Sequence, residues 1–166
     1  MSNPDRKPDL DHIIVPRSPL RKSAAATNAP VAQSGVVAYR LNGAQLEVML
    51  VTSSRRRRWT IPKGYVKTGL SAVESAGEEA WEEGGIRGVL SQIPVGRYAY
   101  TKRATLMSVA VYSMQVDEIH DDWPEQAKRE RRWMPLLAAV AAIDQAGLRD
   151  IVARFGAALT APRAEA

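Results

Sequence analysis

The chain has 166 residues, 45% of them hydrophobic, with 23 basic against 18 acidic side chains and a net charge of +5. That supports one substantial core, and the excess of base suits a polyanionic partner. Cysteine is absent, which excludes disulfides, thiolate metal sites and thiol nucleophiles and fits a reducing cytoplasm.

Residues 1–33 hold Pro4, Pro8, Pro16, Pro19 and Pro30 and a small-residue tract from Ser23 to Asn28, so they read as a flexible tail. The charges at Asp5, Arg6, Lys7, Asp9 and Asp11 leave no apolar core for a secretory signal. The longest apolar run, Met134 to Ile143, is too short to cross a bilayer. A cytoplasmic protein is the expectation.

Ser34 to Arg40 and Leu46 to Ser53 are β-rich and separated by Leu41-Asn42-Gly43-Ala44, which predicts a hairpin. A short extended piece follows at Trp59 to Ile61, and Pro62, Gly64 and Gly69 mark a loop. Ser71 followed by Glu74 is a capping-box start, and Gly84-Gly85 is a helix stop. Within that helix Val73, Gly77, Ala80 and Gly84 form a stripe small enough for close approach to a sheet, with Trp81 expected to pack inward beside it. The acids then face a loop or cleft. Val95 to Thr101 and Leu106 to Val116 read as two more strands with Lys102-Arg103 at their junction. Pro135 to Ala146 reads as a helix ended by Gly147, and Leu148 to Phe155 as a second. Residues 158–166 read as a frayed end, which leaves one α+β domain over 34–157.

Four carboxylates, Glu78, Glu79, Glu82 and Glu83, crowd two turns of the first helix. Glu79, Glu82 and Glu83 share a face there, and like charges at this spacing cost roughly 0.2–0.5 kcal/mol per pair. A hard divalent ion bound through oxygen would reverse the sign. The bases form three separate groups, Arg55 to Arg58, Lys102-Arg103 and Lys128 to Arg132, which suit phosphate or are solvated surface charge. Arg55 can offer a bidentate fork, Lys63 a point charge, and Ser53 or Ser54 a hydroxyl donor. Lys102 and Arg103 either reach the same ligand or only form a turn. His12 and His120 carry no ligand spacing, and Trp59, Trp81, Trp123 and Trp133 are too scattered for a base-stacking ladder and read as core.

The segment from Gly64 to Ile86 resembles the Nudix box laid down without gaps. Gly64 takes the opening glycine, Glu79 the acid of Arg-Glu, Ala80 the aliphatic place, Glu82 and Glu83 the paired acids, Gly85 the closing glycine and Ile86 the last aliphatic. Leu70 stands where the first Glu is expected and Glu78 where the Arg is expected. Val51 to Arg55, Trp59 to Gly64, Asp121-Asp122-Trp123 and Arg131-Arg132-Trp133 are similar to the diphosphoinositol polyphosphate phosphohydrolase-like branch and its bacterial relatives. Ala32-Gln33 replaces the basic residues that eukaryotic members usually carry there.

The resemblance implies an α/β/α sandwich around a mixed sheet, with a loop-helix-loop catalytic segment. It implies Mg²⁺ or Mn²⁺ held by Glu79 and Glu83 with the Gly64 carbonyl, and Glu82 beside them polarising the attacking water. Glu79 and Glu82 can exchange base and ligand roles. Glu118 is the candidate for an extra acid after the box. The activity implied is hydrolysis of a pyrophosphate bond in a nucleoside diphosphate-linked or polyphosphorylated small molecule, of the dinucleoside polyphosphate or diphosphoinositol polyphosphate type. Two other readings stand beside it. Leu70 and Glu78 can mark a Nudix-fold protein that binds a phosphorylated ligand without cleaving it, and Arg55 to Arg58 with the basic tail can mark an RNA binder.

Overall fold

The computed structural model describes residues 29–164. Most of the tail, and His12 with it, lies outside the described residues. The elements run β1 (Val31–Asn42), β2 (Gln45–Thr52), β3 (Trp59–Thr60), β4 (Lys63–Tyr65), α1 (Ala72–Gly84), β5 (Ile86–Leu90), β6 (Gly96–Lys102), β7 (Thr105–Ile119), β8 (Arg131–Pro135), α2 (Leu136–Ala142) and α3 (Ala146–Thr160).

All eight strands join one mixed sheet. β1 is its spine: it pairs antiparallel with β2 and β4 and parallel with β7, Val31 facing Met107 and Tyr39 facing Gln115. The expected hairpin is present, closing at Asn42 opposite Gln45 with Gly43 left-handed at φ 63°. Arg103 and Ala104 form a second tight turn, both at positive φ, between β6 and β7. β8 lies along β2, and β5 pairs with the far half of β7 through a bulge at Arg87/Gly88.

Strand alternation divides the core in two. Val37, Val48, Leu50, Val109 and Val111 point to one face and meet Ala139, Ile143, Leu148, Ile151 and Val152 of the α2–α3 side. Val36, Ala38, Met49, Ala110, Tyr112 and Met114 point to the other and meet Ala76 and Ala80 of α1, with Ile86. This is the mixed-sheet sandwich expected of the sequence. Both faces of the central strands are covered, so their apolar runs are nearly continuous.

Several local expectations differ from the structure. Lys63 to Tyr65, read as loop, is a strand, because its backbone continues the ladder opposite Gln33 to Gly35. β5, directly after α1, has no counterpart in the sequence reading; Gly88 at its bulge interrupts the alternation that would have marked it. The helix expected over Pro135 to Ala146 is only α2, preceded by β8, and Gly147 lies inside α3 rather than ending a helix. Gly147 is needed for contact, since a Cβ there would come within 2.9 Å of the Tyr98 Cβ. α3 continues to Thr160, and β1 starts at Val31. No helix among the described residues is long and apolar enough to cross a membrane.

Candidate functional site

α1 is built as its sequence requires. The Ser71 side chain accepts from the Glu74 backbone N–H, Glu74 accepts from the Ser71 N–H at 2.7 Å, and Gly85 caps the far end at φ 63°. The inward face carries Ser75, Ala76, Glu79, Ala80, Glu83 and Gly84, so two of the four carboxylates are buried with the small residues. Glu79 is 8% exposed and Glu83 5%. Glu78 points to solvent. Trp81 does not join the inward stripe: it is half-buried, edge-on to His120 with Arg87 over its ring.

Glu79 seats against β4. A Cβ on Gly64 would fall 2.3 Å from the Glu79 carboxyl carbon, so the opening glycine is required by contact. Glu83 accepts from the Lys63 backbone N–H at 3.2 Å and forms an ion pair with Arg129 Nη2 at 2.7 Å. Arg129 is itself nearly buried and also donates to the Thr52 carbonyl and pairs with Glu125. Lys67 reaches from the loop, its Nζ 2.5 Å from Glu82 Oε1 and 3.8 Å from Glu79 Oε1. Burial pushes the Glu83 carboxyl up to about 8, against the pull of Arg129 and the Lys63 N–H. Burial, with Glu82 nearby, also raises Glu79 above the usual carboxylate range, against Lys67.

These groups border a cleft of about 510 Å³, whose lining includes Gly64, Glu79, Glu83, Lys63, Lys67 and Arg129. Ser53, Ser54 and Lys102 also reach it. Arg55 is exposed and lines neither this cleft nor the cavity beside it; Arg103 sits at the tip of the β6–β7 turn, outside both linings. Glu82 is also outside the lining, its carboxylate turned to Lys67. Glu118 pairs with His120 at 3.1 Å on the surface, and the later acid that touches the site's ion pairs is Glu125.

The second cavity, about 280 Å³, shares Ser53, Thr60, Lys63 and Tyr100 with the cleft and adds Trp59, Tyr98, Arg56, Arg58, Asp144 and Gln145. Trp59, expected in the core, thus forms part of a wall. The Tyr98 hydroxyl is buried and has no hydrogen-bond partner, and burial holds it as the neutral phenol. Lys63 Nζ donates to Tyr100 Oη at 2.9 Å, and Tyr100 in turn donates to Gln33 at 2.7 Å.

The family described as NUDIX domain matches residues 31–155, a span that contains every element of this site. The chain belongs to the Nudix family. It is 30% identical over 128 residues to Nudix hydrolase 12, mitochondrial, of Arabidopsis thaliana, covering 64% of this chain and 63% of that protein. It is 32% identical over 97 residues to diphosphoinositol polyphosphate phosphohydrolase 2 of Rattus norvegicus, covering 57% and 52%. The chain therefore spans less than two thirds of these relatives' length. A C. elegans Ap4A hydrolase structure shares the fold at TM-score 0.66 and 24% identity, covering 79% of this chain and 99% of that one.

Nudix proteins generally use divalent metals, and the donors present suit one. Glu79, Glu83 and the Gly64 carbonyl offer hard oxygens only, and the bare Gly64 leaves room for the Glu79 carboxylate against the strand. Among the described residues no three acids or imidazoles form a ready-made cage, so any ion here would need further oxygen ligands from water or phosphate. Lys67, Arg129, Glu125, Gln33 and Tyr100 are the site residues that sequence reasoning missed. The signals for them were the basic cluster at 128–132, which contains Arg129, and the Ala32-Gln33 pair standing where basic residues are usual.

Proposed function

We propose that this chain is a divalent-metal-dependent pyrophosphohydrolase whose substrate carries a ring joined to two or more phosphates. The observation that carries this is the burial of Glu79 and Glu83 together on Gly64, in a cleft whose other wall is lysine and arginine. Buried carboxylates are expensive unless paired or committed to a metal, and cations opposite them are placed to hold phosphate oxygens.

Glu79, Glu83 and the Gly64 carbonyl would hold Mg²⁺ or Mn²⁺, which when bound supplies charge neutralisation on the phosphates and a more acidic water. Lys63 and Lys102 border the cleft as phosphate contacts, with the Ser53 and Ser54 hydroxyls beside them. Ser53 Oγ already accepts from the Arg58 N–H at 3.1 Å, which leaves its proton free to donate. Glu79 lines the cleft and Glu82 does not; Glu79 is therefore better placed than Glu82 to take a proton from an attacking water, through whichever oxygen the metal leaves free. Glu82 is held by Lys67 and orients the loop.

The neighbouring cavity supports a planar leaving group. Its walls include the rings of Trp59, Tyr98 and Tyr100, and its volume of about 280 Å³ suits one ring system rather than a whole ligand, against roughly 300–1,000 Å³ for drug-sized sites. Asp144 in the wall is paired with Arg58 at 3.7 Å, and Arg56 and Lys63 stand beside them, so it is the three rings and not the charge that favour a planar group. A nucleoside polyphosphate fits these walls better than a diphosphoinositol polyphosphate.

One observation favours the binding-only reading: Glu82 and Glu83 already have cationic partners in Lys67 and Arg129. A panel of dinucleoside polyphosphates, inositol pyrophosphates, nucleotide sugars and 5′-triphosphorylated RNA, with Mg²⁺ or Mn²⁺, separates the two. Turnover above a Glu83→Gln control supports the enzyme. Tight binding that Glu83→Gln leaves intact, with no turnover, supports the binder.

A further inference from the structure

The two departures from the box pattern, Leu70 and Glu78, remove an acid from the loop and a cation from the helix. Leu70 does not pack into the gap this leaves, being 37% exposed, and Glu78 is exposed on α1. The helix nevertheless buries two carboxylates and keeps a third beside them. Some cation must organise that face, since unopposed acids so close would disperse.

We infer that Lys67 does this, so that the ion pairing between loop and helix runs with its polarity reversed: cation on the loop, acids on the helix. Lys67 is fixed at both ends. Its backbone N–H donates to Ser75 Oγ at 3.0 Å, and Ser75 is fully buried on the second turn of α1. Its carbonyl accepts from the Leu70 N–H at 3.1 Å, closing the turn that leads to the Ser71 cap. The side chain then spans Glu82 at 2.5 Å and Glu79 at 3.8 Å. Arg129 does not substitute for it, being committed to Glu83, Glu125 and the Thr52 carbonyl. Lys67 also borders the cleft, so its ammonium shares Glu79 with any metal held there. It orders the acids and competes with the ion. It is a positioning residue, and the inference rests on the metal-facing reading of Glu79 and Glu83.

The test compares wild type, Lys67→Met, Lys67→Arg and the exchange of the paired charges, Lys67→Glu with Glu82→Lys. Melting is measured in EDTA, and Mn²⁺ affinity by calorimetry. Lys67→Met lowers the EDTA melting midpoint by about 2–6 °C, the shift expected in a domain of this size for a lost partly buried pair. It also tightens Mn²⁺ binding several-fold by removing the competitor. Lys67→Arg stays near wild type on both measures. Adding Glu82→Lys to Lys67→Glu recovers at least half of the midpoint lost by Lys67→Glu alone. An unchanged midpoint and Mn²⁺ affinity in Lys67→Met would show an ordinary surface lysine and overturn the inference. Mn²⁺ binding to none of the proteins would instead overturn the metal-facing reading, while the EDTA midpoints still decide whether Lys67 organises the acids.

Discussion

The two faces of the sheet are packed by different rules. Toward α2 and α3 the filling is bulky: Ile143, Leu148, Ile151 and Val152 meet Val37, Leu50 and Val111. Toward α1 it is small on the helix side, Ala76 and Ala80, and shares its space with Glu79 and Glu83. Large side chains hold a helix away from a sheet and contribute the apolar burial that stabilises a fold. Small ones bring the helix backbone close and allow carboxylates to be pressed against a strand, which costs desolvation free energy. One face holds the domain together, and the other uses part of that stability to confine charge.

The sharpest way to break this contrast is Gly64→Ala. The added methyl meets the Glu79 carboxylate, and a displacement of about 1 Å at a reacting group costs about 100-fold in rate. Turnover falls by about that factor while the melting temperature moves little. Ile151→Ala on the other face gives the opposite pattern. A large-to-small change at this buried site destabilises by about 2–5 kcal/mol, read as a lower denaturation midpoint, with kcat of the folded protein unchanged.

The acid-bearing face also has its own pH response. Glu83 is raised from an ordinary carboxylate value to about 8 in the folded protein, so folding favours its protonated form. In EDTA that contribution is fully present below about pH 4.5 and is lost as pH rises to about 8, by at most about 1.4 kcal/mol per pH unit. Metal requires the ionised form, so Mn²⁺ affinity rises over the same window by up to tenfold per unit, and Glu83→Gln removes the dependence. Calorimetry at pH 6, 7 and 8 measures it. The smallest change expected is from Tyr98→Phe. The lost hydroxyl has no partner, so stability stays within about 1 kcal/mol of wild type or improves.

What the sequence disclosed follows the same division. α1 was legible because its cap, small-residue stripe and Gly84-Gly85 stop are local, and the central strands because alternation and the Asn-Gly turn are local. The acids could be placed on one face by counting residues. Lys67 and Arg129 could not be paired with them that way, because their partners lie 15 and 46 residues off in sequence, across a loop and a sheet edge. Arg55 to Arg58 are four identical side chains, and nothing in the run itself marks Arg55 as the phosphate fork. Which of them faces a cavity depends on the tight 53–58 turn, where the Ser53 N–H bonds the Arg58 carbonyl and Arg57 takes positive φ. β4 escaped notice because three residues between prolyl and glycyl breaks show no period.

The end of α1 is held by a segment made much later. The carbonyls of Glu82, Glu83, Gly84 and Gly85 are taken in turn by the Glu125 N–H, Trp123 Nε1, Arg131 Nη1 and His120 N–H. During synthesis the helix therefore emerges some 40 residues ahead of the groups that complete it. A nascent chain stalled before Trp123 would display the whole box and yet have no finished site. The site is assembled only when the loop between β7 and β8 has been made and folded back, so the most recognisable stretch of the protein is among the last to become competent.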